Sequence, residues 1–419
     1  MPIVFVALTL FLAVPACAAE PALPGLDVAY PAFEALYLDL HRNPELSLRE
    51  ERTAAKLAEI LRSNGFEATE KVGGTGVVGV LRNGAGPTLL IRTDMDALPI
   101  EERTGLPYAS VAKGVMHACG HDVHMTAWAG AATLLAGMKD RWKGTLVMIA
   151  QPAEEIGAGA RAMLDDGLYT QFPKPEFAIA FHASGELPAG TIGWKTGPVL
   201  ASADSVDVTF HGKGTHGATP HLGIDPIAIA ARFVLAVQTL VSRENDPLDP
   251  AVVTVGSFHA GTKHNIIPDE AKLQMTVRAF RQEVRERLLA GIERMARAEA
   301  AAAGAPEPAI TVSQGTRPTA NDPALANRLA AALKRSLGED RVVEFPPVMA
   351  AEDFSAYARE GVATAIFWLG TANPEKSRAA RSGGLPVPGL HSAEFAPDPE
   401  PTLRTGATAL VLEALELLR

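Results

Sequence analysis

The sequence predicts an α/β protein: a mostly parallel-sheet domain interrupted by an inserted α+β domain. Three observations carry this. From Val77 to Phe181 short β-branched runs alternate with helical periods, the pattern of parallel strands joined by crossover helices. Near Leu200 the pattern changes to β-α-β-β-α-β, that of a compact unit of its own. Beyond Arg317 the first pattern resumes, so the second unit interrupts the first. The boundaries read as 27–200 and 315–419 for the main domain and 201–314 for the insertion.

The elements follow in order. Phe33, Leu36, Tyr37 and Leu40 are spaced as one face of a helix over Tyr30–His41, which Asn43-Pro44 ends. Thr53, Leu57, Ile60 and Leu61 mark a second helix that stops at Asn64-Gly65. Val77–Val80 and Thr88–Arg92 read as strands, with a Gly84-Ala85-Gly86-Pro87 turn between them. Then come a helix His121–Leu135, a strand Thr145–Ala150, a helix Gly157–Asp166 and a strand Phe177–Phe181. In the insertion, strands at Asp204–Phe210, Val252–Phe258, Ala271–Phe280 and Ala309–Val312 accompany helices at Ile224–Val241 and Glu283–Ala303. A helix near Pro323–Leu337, a strand at Thr364–Trp368 and a helix Pro401–Leu418 close the chain.

Composition narrows the function. The chain has 419 residues, 47% of them hydrophobic and 21% charged, enough to bury two cores. A net charge of -10 without any Lys- or Arg-rich run disfavours nucleic acid as a partner, because phosphate binding needs clustered cations. Gly74-Thr75-Gly76-Val77-Val78-Gly79 matches the GxGxxG dinucleotide pattern, but its glycines lead into a valine strand and open no helix. At the N-terminus, Ile3 to Val14 is an apolar run too short to span a bilayer, followed by Pro15-Ala16-Cys17-Ala18-Ala19. Residues 1–19 therefore read as a secretory leader and the protein as exported, periplasmic or secreted; lipid anchoring through Cys17 is the alternative. Loss of the leader leaves one cysteine, so no internal disulfide can form.

That cysteine sits in Met116-His117-Ala118-Cys119-Gly120-His121-Asp122-Val123-His124, which places three imidazoles, a thiol and a carboxylate in nine residues. Other chemistry-bearing residues follow strands, where open α/β sheets collect ligands: Asp94 and Asp96, Glu154 and Glu155, and His182. His391 lies just before the closing helix. Taken singly, Glu154-Glu155 reads as a solvated helix start and His182 as a core histidine. Together, ligand-type residues at five positions along the chain match a two-metal site, whose ions lie about 3.5–4 Å apart and need a bridging ligand. A thiolate can bridge, and a second glutamate beside a metal-binding one can move protons. The alternatives are a cysteine nucleophile at Cys119 and a non-catalytic binding protein.

Arg92-Thr93-Asp94-Met95-Asp96-Ala97-Leu98-Pro99, the cysteine loop, Gln151-Pro152-Ala153-Glu154-Glu155 and Ala351-Glu352-Asp353-Phe354 resemble the M20 metallopeptidases. They are most similar to the amidohydrolase branch of hippurate hydrolases, N-acyl-amino-acid amidohydrolases and auxin-conjugate hydrolases. The resemblance runs from about Asp27 to the C-terminus. It implies that Cys119 bridges two divalent ions (Zn first, with Mn, Co or Ni also accepted) and that His121, Glu155, His182 and His391 complete their ligands. Glu154 would be the general base and acid, and Asp94, Asp96 and Asp122 would support the metal loop. The insertion would be the family's lid, forming a dimer or tetramer. His216, in Gly212–His221, would donate to the oxyanion, often in the partner's site. Thr215 stands where the family more often has Gly. Asn265 and Arg278 would hold the substrate's α-carboxylate. The implied reaction is hydrolysis of small N-acyl- or N-aroyl-amino acids, with hippurate-like, fatty-acyl, indole-acyl or ochratoxin-type acyl partners. An M20-type carboxypeptidase or dipeptidase activity is the runner-up.

Overall fold

The computed structural model describes residues 23–313 and 315–419. The leader at 1–19 and Cys17 lie outside the described residues. The chain opens with α1 (Leu26–Arg42) and α2 (Glu51–Ser63), followed by β1 (Glu67–Val72), β2 (Gly76–Asn83) and β3 (Thr88–Asp94). Next come α3 (His121–Gly137), β4 (Gly144–Gln151), α4 (Gly159–Asp165), α5 (Leu168–Gln171), β5 (Phe177–Pro188), β6 (Ile192–Trp194) and β7 (Gly197–Leu200). The insertion comprises β8 (Asp204–His211), β9 (Thr215–His216), α6 (Pro226–Thr239), β10 (Ala251–Ala260), β11 (Ile266–Ile267), β12 (Glu270–Ala279), α7 (Gln282–Ala302) and β13 (Ala309–Val312). The chain then returns through β14 (Thr319–Asn321), α8 (Pro323–Leu337), β15 (Val342–Glu344), β16 (Ala363–Ala372), α9 (Pro374–Arg381) and α10 (Pro399–Leu417).

Eight strands form the main sheet in the order β1-β2-β4-β3-β5-β16-β6-β15. Its centre, β4-β3-β5-β16, is parallel throughout, and antiparallel pairs appear only toward the two edges. Alternate residues of the central strands feed opposite cores, as a period of two requires. Leu89, Ile91, Met148 and Phe367 pack under α1, α2, α3, α8 and α10. Leu90, Val147, Ile149 and Ile366 face α4, α5 and the 353–357 turn. Helix α3 explains its own position: it is apolar almost all round, with Trp128 fully buried, and such a helix belongs inside a core. Gly406 lets α10 approach it, since a Cβ there would lie 2.8 Å from the Ala127 methyl.

The insertion is a four-stranded antiparallel sheet, β10-β12-β8-β13, with α6 and α7. Along β12 exposed and buried residues alternate, so Leu273, Met275 and Val277 meet Phe233, Val237, Leu288 and Ile292 in a separate core. Asp225 caps α6 by accepting from the Ile227 amide, which moves its start past the expected Ile224.

The fold class expected from sequence is the one observed, with local differences. Helix α1 begins at Leu26 instead of Tyr30. Strand β5 continues to Pro188, because β16 pairs with it in parallel along its length; His182 is therefore mid-strand, opposite Trp368, and not at a strand end. Strands β1, β6, β7, β14 and β15 lack any apolar run long enough to announce them. Gly74–Gly79 forms the turn between β1 and β2 and the start of β2, as its valines require.

Candidate metal and active site

The site begins where β3, β4 and β5 and the loop before α3 bring their polar residues together. Gly120 adopts φ +80 between Cys119 and His121, and a Cβ there would sit 2.9 Å from the Ala183 methyl. Glycine alone tolerates both constraints, so the chain turns sharply and presents thiol and imidazole from one point. Two non-glycine residues of the site also take the left-handed conformation: Ala153, before the glutamate pair, and His391, at φ 52 and 63. Each such residue costs of order 1–3 kcal/mol and persists only where its surroundings hold it. At His391 the holding contact is its amide, which donates to the Ala118 carbonyl at 2.8 Å.

Cys119 lies at the centre. Its Sγ is 3.6 Å from His182 Nε2 and 3.3 Å from His391 Nε2. Potential ligand atoms fall into two triads that share this sulfur: Cys119, His121 and His182, and Cys119, Glu155 and His391. Within each triad the donor atoms lie within 4.8 Å of one another.

Partners behind the donors set their orientation. His121 Nδ1 donates to the Asp96 carbonyl at 2.7 Å, and His182 Nδ1 to the Ala183 carbonyl at 2.9 Å. Both imidazoles thus turn an Nε2 lone pair toward the cluster, the arrangement metal-binding histidines use. The Asp96 carboxylate accepts the amides of Glu154 and Glu155, each at 3.0 Å, and the Ser47 hydroxyl at 2.6 Å. It fixes the backbone of the glutamate pair. Asp94 accepts from His124 Nδ1 at 2.7 Å and from Arg92 at 2.6 Å, and it approaches His121 Nε2 at 3.7 Å. His124 Nε2 accepts the Ala183 amide at 2.7 Å, so both its nitrogens are engaged and it is a strut between β3 and β5.

Asp122 supports the start of α3, the helix that the cysteine loop enters, and not a cluster donor directly. Its side chain turns to His41 of α1, at 2.7 Å, and Glu102 meets the other ring nitrogen at 3.3 Å. Despite burial, these two carboxylates push His41 up to about 9. Asp122 clamps the start of α3 to α1; it does not orient a cluster histidine.

Sequence reading also missed what Arg92 and the Glu352-Asp353 pair do. Arg92 is fully buried and binds Gln151, Asp94, Glu352 and Asp353 at 2.6–3.3 Å. It neutralises part of an acidic cluster that abuts Glu154. A buried arginine in a strand beside two strand-end acids was the available signal.

The electrostatics fit cations. His121 Nε2 and Glu155 Oε1 are buried atoms with no hydrogen-bond partner, although buried polar atoms are nearly always paired. Burial and neighbouring acids push Glu155 up to about 7 and Glu154 well above the usual carboxylate range. Burial pushes His182 down to about 4, which leaves it an uncharged donor. Sulfur, imidazole and carboxylate donors crowded in this way suit two divalent cations sharing Cys119. The same burial holds the Cys119 thiol well above its ordinary value. A nucleophilic cysteine needs the opposite shift, so that alternative loses its support.

A cleft of about 890 Å³ opens over the cluster, and Cys119, Glu154, Glu155, His182, His391 and Arg278 are among the residues that line it. Arg278 donates to the Met349 carbonyl at 3.3 Å. His216 and Asn265 are elsewhere. They sit together on the small β9–β11 ribbon, where Gly217 donates to the Asn265 carbonyl, and neither lines this cleft. His216 is exposed.

Residues 90–382 match the family model described as peptidase family M20/M25/M40. The chain belongs to this family. It is 37% identical over 381 residues to thermostable carboxypeptidase 1 of Saccharolobus solfataricus, covering 90% of this chain and 93% of that one. It is 40% identical over 338 residues to an N-acetyl-L-cysteine deacetylase of Bacillus subtilis, covering 79% and 78%. Among solved structures, the Bacillus subtilis YXEP protein, a dinuclear metal-binding peptidase of the M20 family, superposes with a TM-score of 0.78 at 33% identity, covering 94% and 99%. The M20 chain described here is therefore a hydrolase of amide bonds, and its two donor triads match a dinuclear site.

Proposed function

We propose that this M20 hydrolase cleaves the amide of N-acyl- or N-aroyl-amino acids, releasing a carboxylic acid and a free amino acid. The observation that carries the reading is the cleft itself: a buried carboxyl, Glu154, beside two donor triads, with Arg278 in the same lining. Two divalent ions, with Zn the first candidate and Mn, Co or Ni the others, would supply Lewis acidity for the carbonyl and acidify the attacking water. Cys119, His121, Glu155, His182 and His391 would hold them. Glu154 takes the proton from the water and returns it to the departing amine nitrogen, so one carboxyl serves both halves of the reaction. Its elevated pKa suits the second task. Arg278 pairs its planar fork with the free carboxylate of the amino-acid half. His216 donates to the developing oxyanion and Asn265 assists in holding the carboxylate; the exposed position of His216 on the lid, with the half-buried Asn265 beside it, fits delivery by a partner subunit in a dimer or tetramer. Export through residues 1–19 completes the reading; N-terminal sequencing of protein from its native host tests it.

The runner-up is a carboxypeptidase or dipeptidase, favoured by the relative from Saccharolobus and by the same carboxylate-binding arginine. A panel of acetyl-, benzoyl-, indole-acetyl- and long-chain-acyl-amino acids, together with dipeptides, separates the two when released amine is measured with metal supplied. Turnover of N-acyl-amino acids ahead of dipeptides supports the proposal; turnover of dipeptides alone rejects it. Glu154→Gln should lower kcat by at least about 10³-fold while elemental analysis still finds the metals. Activity surviving that change would remove Glu154 from the mechanism.

A further inference from the structure

A second cavity, of about 530 Å³, adjoins the cleft and shares Gly157, Arg161, Gly315 and Thr316 with it. Four arginines line it from four separate segments: Arg161 on α4, Arg285 on α7 of the insertion, Arg317 on the returning strand segment and Arg359 after the 353–357 turn. Two acids face them, Asp165 and Asp353. In a chain of net charge -10, this concentration of guanidinium groups in one concavity runs against the overall balance.

The local pairing leaves part of that charge uncompensated. Arg285 is engaged by Asp204 through two nitrogens, each at 2.7 Å. Asp353 has its oxygen 3.2 Å from Arg92. Arg161 reaches the Gly315 carbonyl at 3.1 Å and ties α4 to the segment leaving the insertion. Arg359 donates its Nε to the Ala356 carbonyl at 3.2 Å. Among the described residues, neither Arg317 nor Arg359 has a carboxylate within ion-pair distance. Both forks retain donors for a planar or tetrahedral oxyanion, the group that guanidinium recognises best. A concave wall between them concentrates the field. The cavity also takes walls from both domains, so an anion in it would touch the insertion and the main domain together.

We propose that this cavity binds a small oxyanion, either a free phosphate-like ion or a second carboxylate carried by the substrate, with Arg317 and Arg359 as its principal ligands. The site is separate from the donor cluster and from Arg278, and the free-ion form of the proposal does not depend on the substrate reading above.

The test uses the full, metal-loaded protein and the double variant Arg317→Ala/Arg359→Ala, with the double lysine variant as a charge-retaining control. Both arginines are exposed, so the fold should persist; circular dichroism and unchanged metal content check this. Calorimetric titration with inorganic phosphate against a chloride background of equal ionic strength should show saturable binding that weakens tenfold or more in the alanine variant and less in the lysine variant. That result identifies a free anion as the ligand. If phosphate does not bind, kcat/KM for N-acetylglutamate and N-acetylglutamine is compared in both proteins. A tenfold loss confined to N-acetylglutamate identifies a substrate carboxylate. Phosphate bound equally by wild type and the alanine variant means capture at the metal centre and overturns the proposal. Absence of phosphate binding together with an unchanged substrate ratio also overturns it. Were the panel above to yield no turnover at all, the phosphate titration alone would decide.

Discussion

The floor of the cleft and the tip of the insertion are built on opposite terms. In the floor, Cys119, His121 and His182 are buried, and each imidazole is held by a hydrogen bond behind it. At the tip, His216 is exposed on a ribbon of two residues per strand, with its Nδ1 accepting only the nearby Ala218 amide at 3.0 Å. The difference teaches where preorganisation is needed. Metal ligands must stand in place before an ion arrives, because crowded carboxylates and imidazoles have no other means of lowering their mutual cost. A donor to the oxyanion acts only when substrate is present, so it can be delivered late by movement or by another subunit.

The comparison can be broken most forcibly from beneath the floor. Trp128 is fully buried in α3, the helix that begins at His121, and its Nε1 donates to the Ile91 carbonyl on β3 at 3.0 Å. Trp128→Ala should cost about 3–5 kcal/mol, read as a lower denaturant midpoint with metal released in the same transition. Metal retained after such a loss would show that the floor does not depend on α3 packing.

A change at the tip should act on rate and not on stability. His216→Ala should lower kcat about 10²–10³-fold with Tm and metal content unchanged. Mixing this variant with Glu154→Gln under conditions that exchange subunits asks where His216 acts. A mixed dimer regains one complete site if the histidine works across subunits and none if it works within its own chain.

The clamp beneath α3 should show in the pH profile of stability. His41 is raised from 6.5 to about 9 by Asp122 and Glu102, so its contribution is complete below about pH 6.5 and is lost as pH rises through 9. Glu102, lowered from 4.5 to about 2 by His41 and its other hydrogen-bond donors, contributes fully above about pH 4.5 and loses that part as pH falls through 2. Wild type should lose about 3 kcal/mol between pH 6.5 and 10, and His41→Gln should be less stable but flatter over that range. Parallel profiles would mean that the clamp carries no net stability. The smallest effect concerns the cleft lining: Arg278→Ala should raise KM about tenfold with kcat little changed, and lysine should restore part of it. A fall in kcat alone would move Arg278 from binding to chemistry.

Much of this was legible in the chain. Alternating β-branched runs and helical periods predict the layered sheet because burial on both faces demands apolar strands, and β3, β4 and β16 have them. The short strands β6, β14 and β15 were not legible, since three residues carry no periodicity. Motif spacing singled out Cys119, Glu154, Glu155, His182 and His391, and the fold brings all five to one cleft. The partners of Asp122 and the role of Arg92 stayed hidden: their contacts span 81 and up to 261 positions, and sequence order does not record which buried charge meets which.

By itself, then, the sequence determined the elements, the two-part architecture and the residue types able to hold cations, because propensity, periodicity and ligand chemistry are local properties. The shared position of Cys119, which the resemblance already implied, is realised in both triads; only the tertiary structure decided that Asp96 steadies the glutamate pair through their amides, and that His124 and Asp122 serve as struts. It also separated Arg278 from His216 and Asn265. Each of these depends on which atoms meet when the strands stack in register, and register is a property of the packed sheet and not of any one segment.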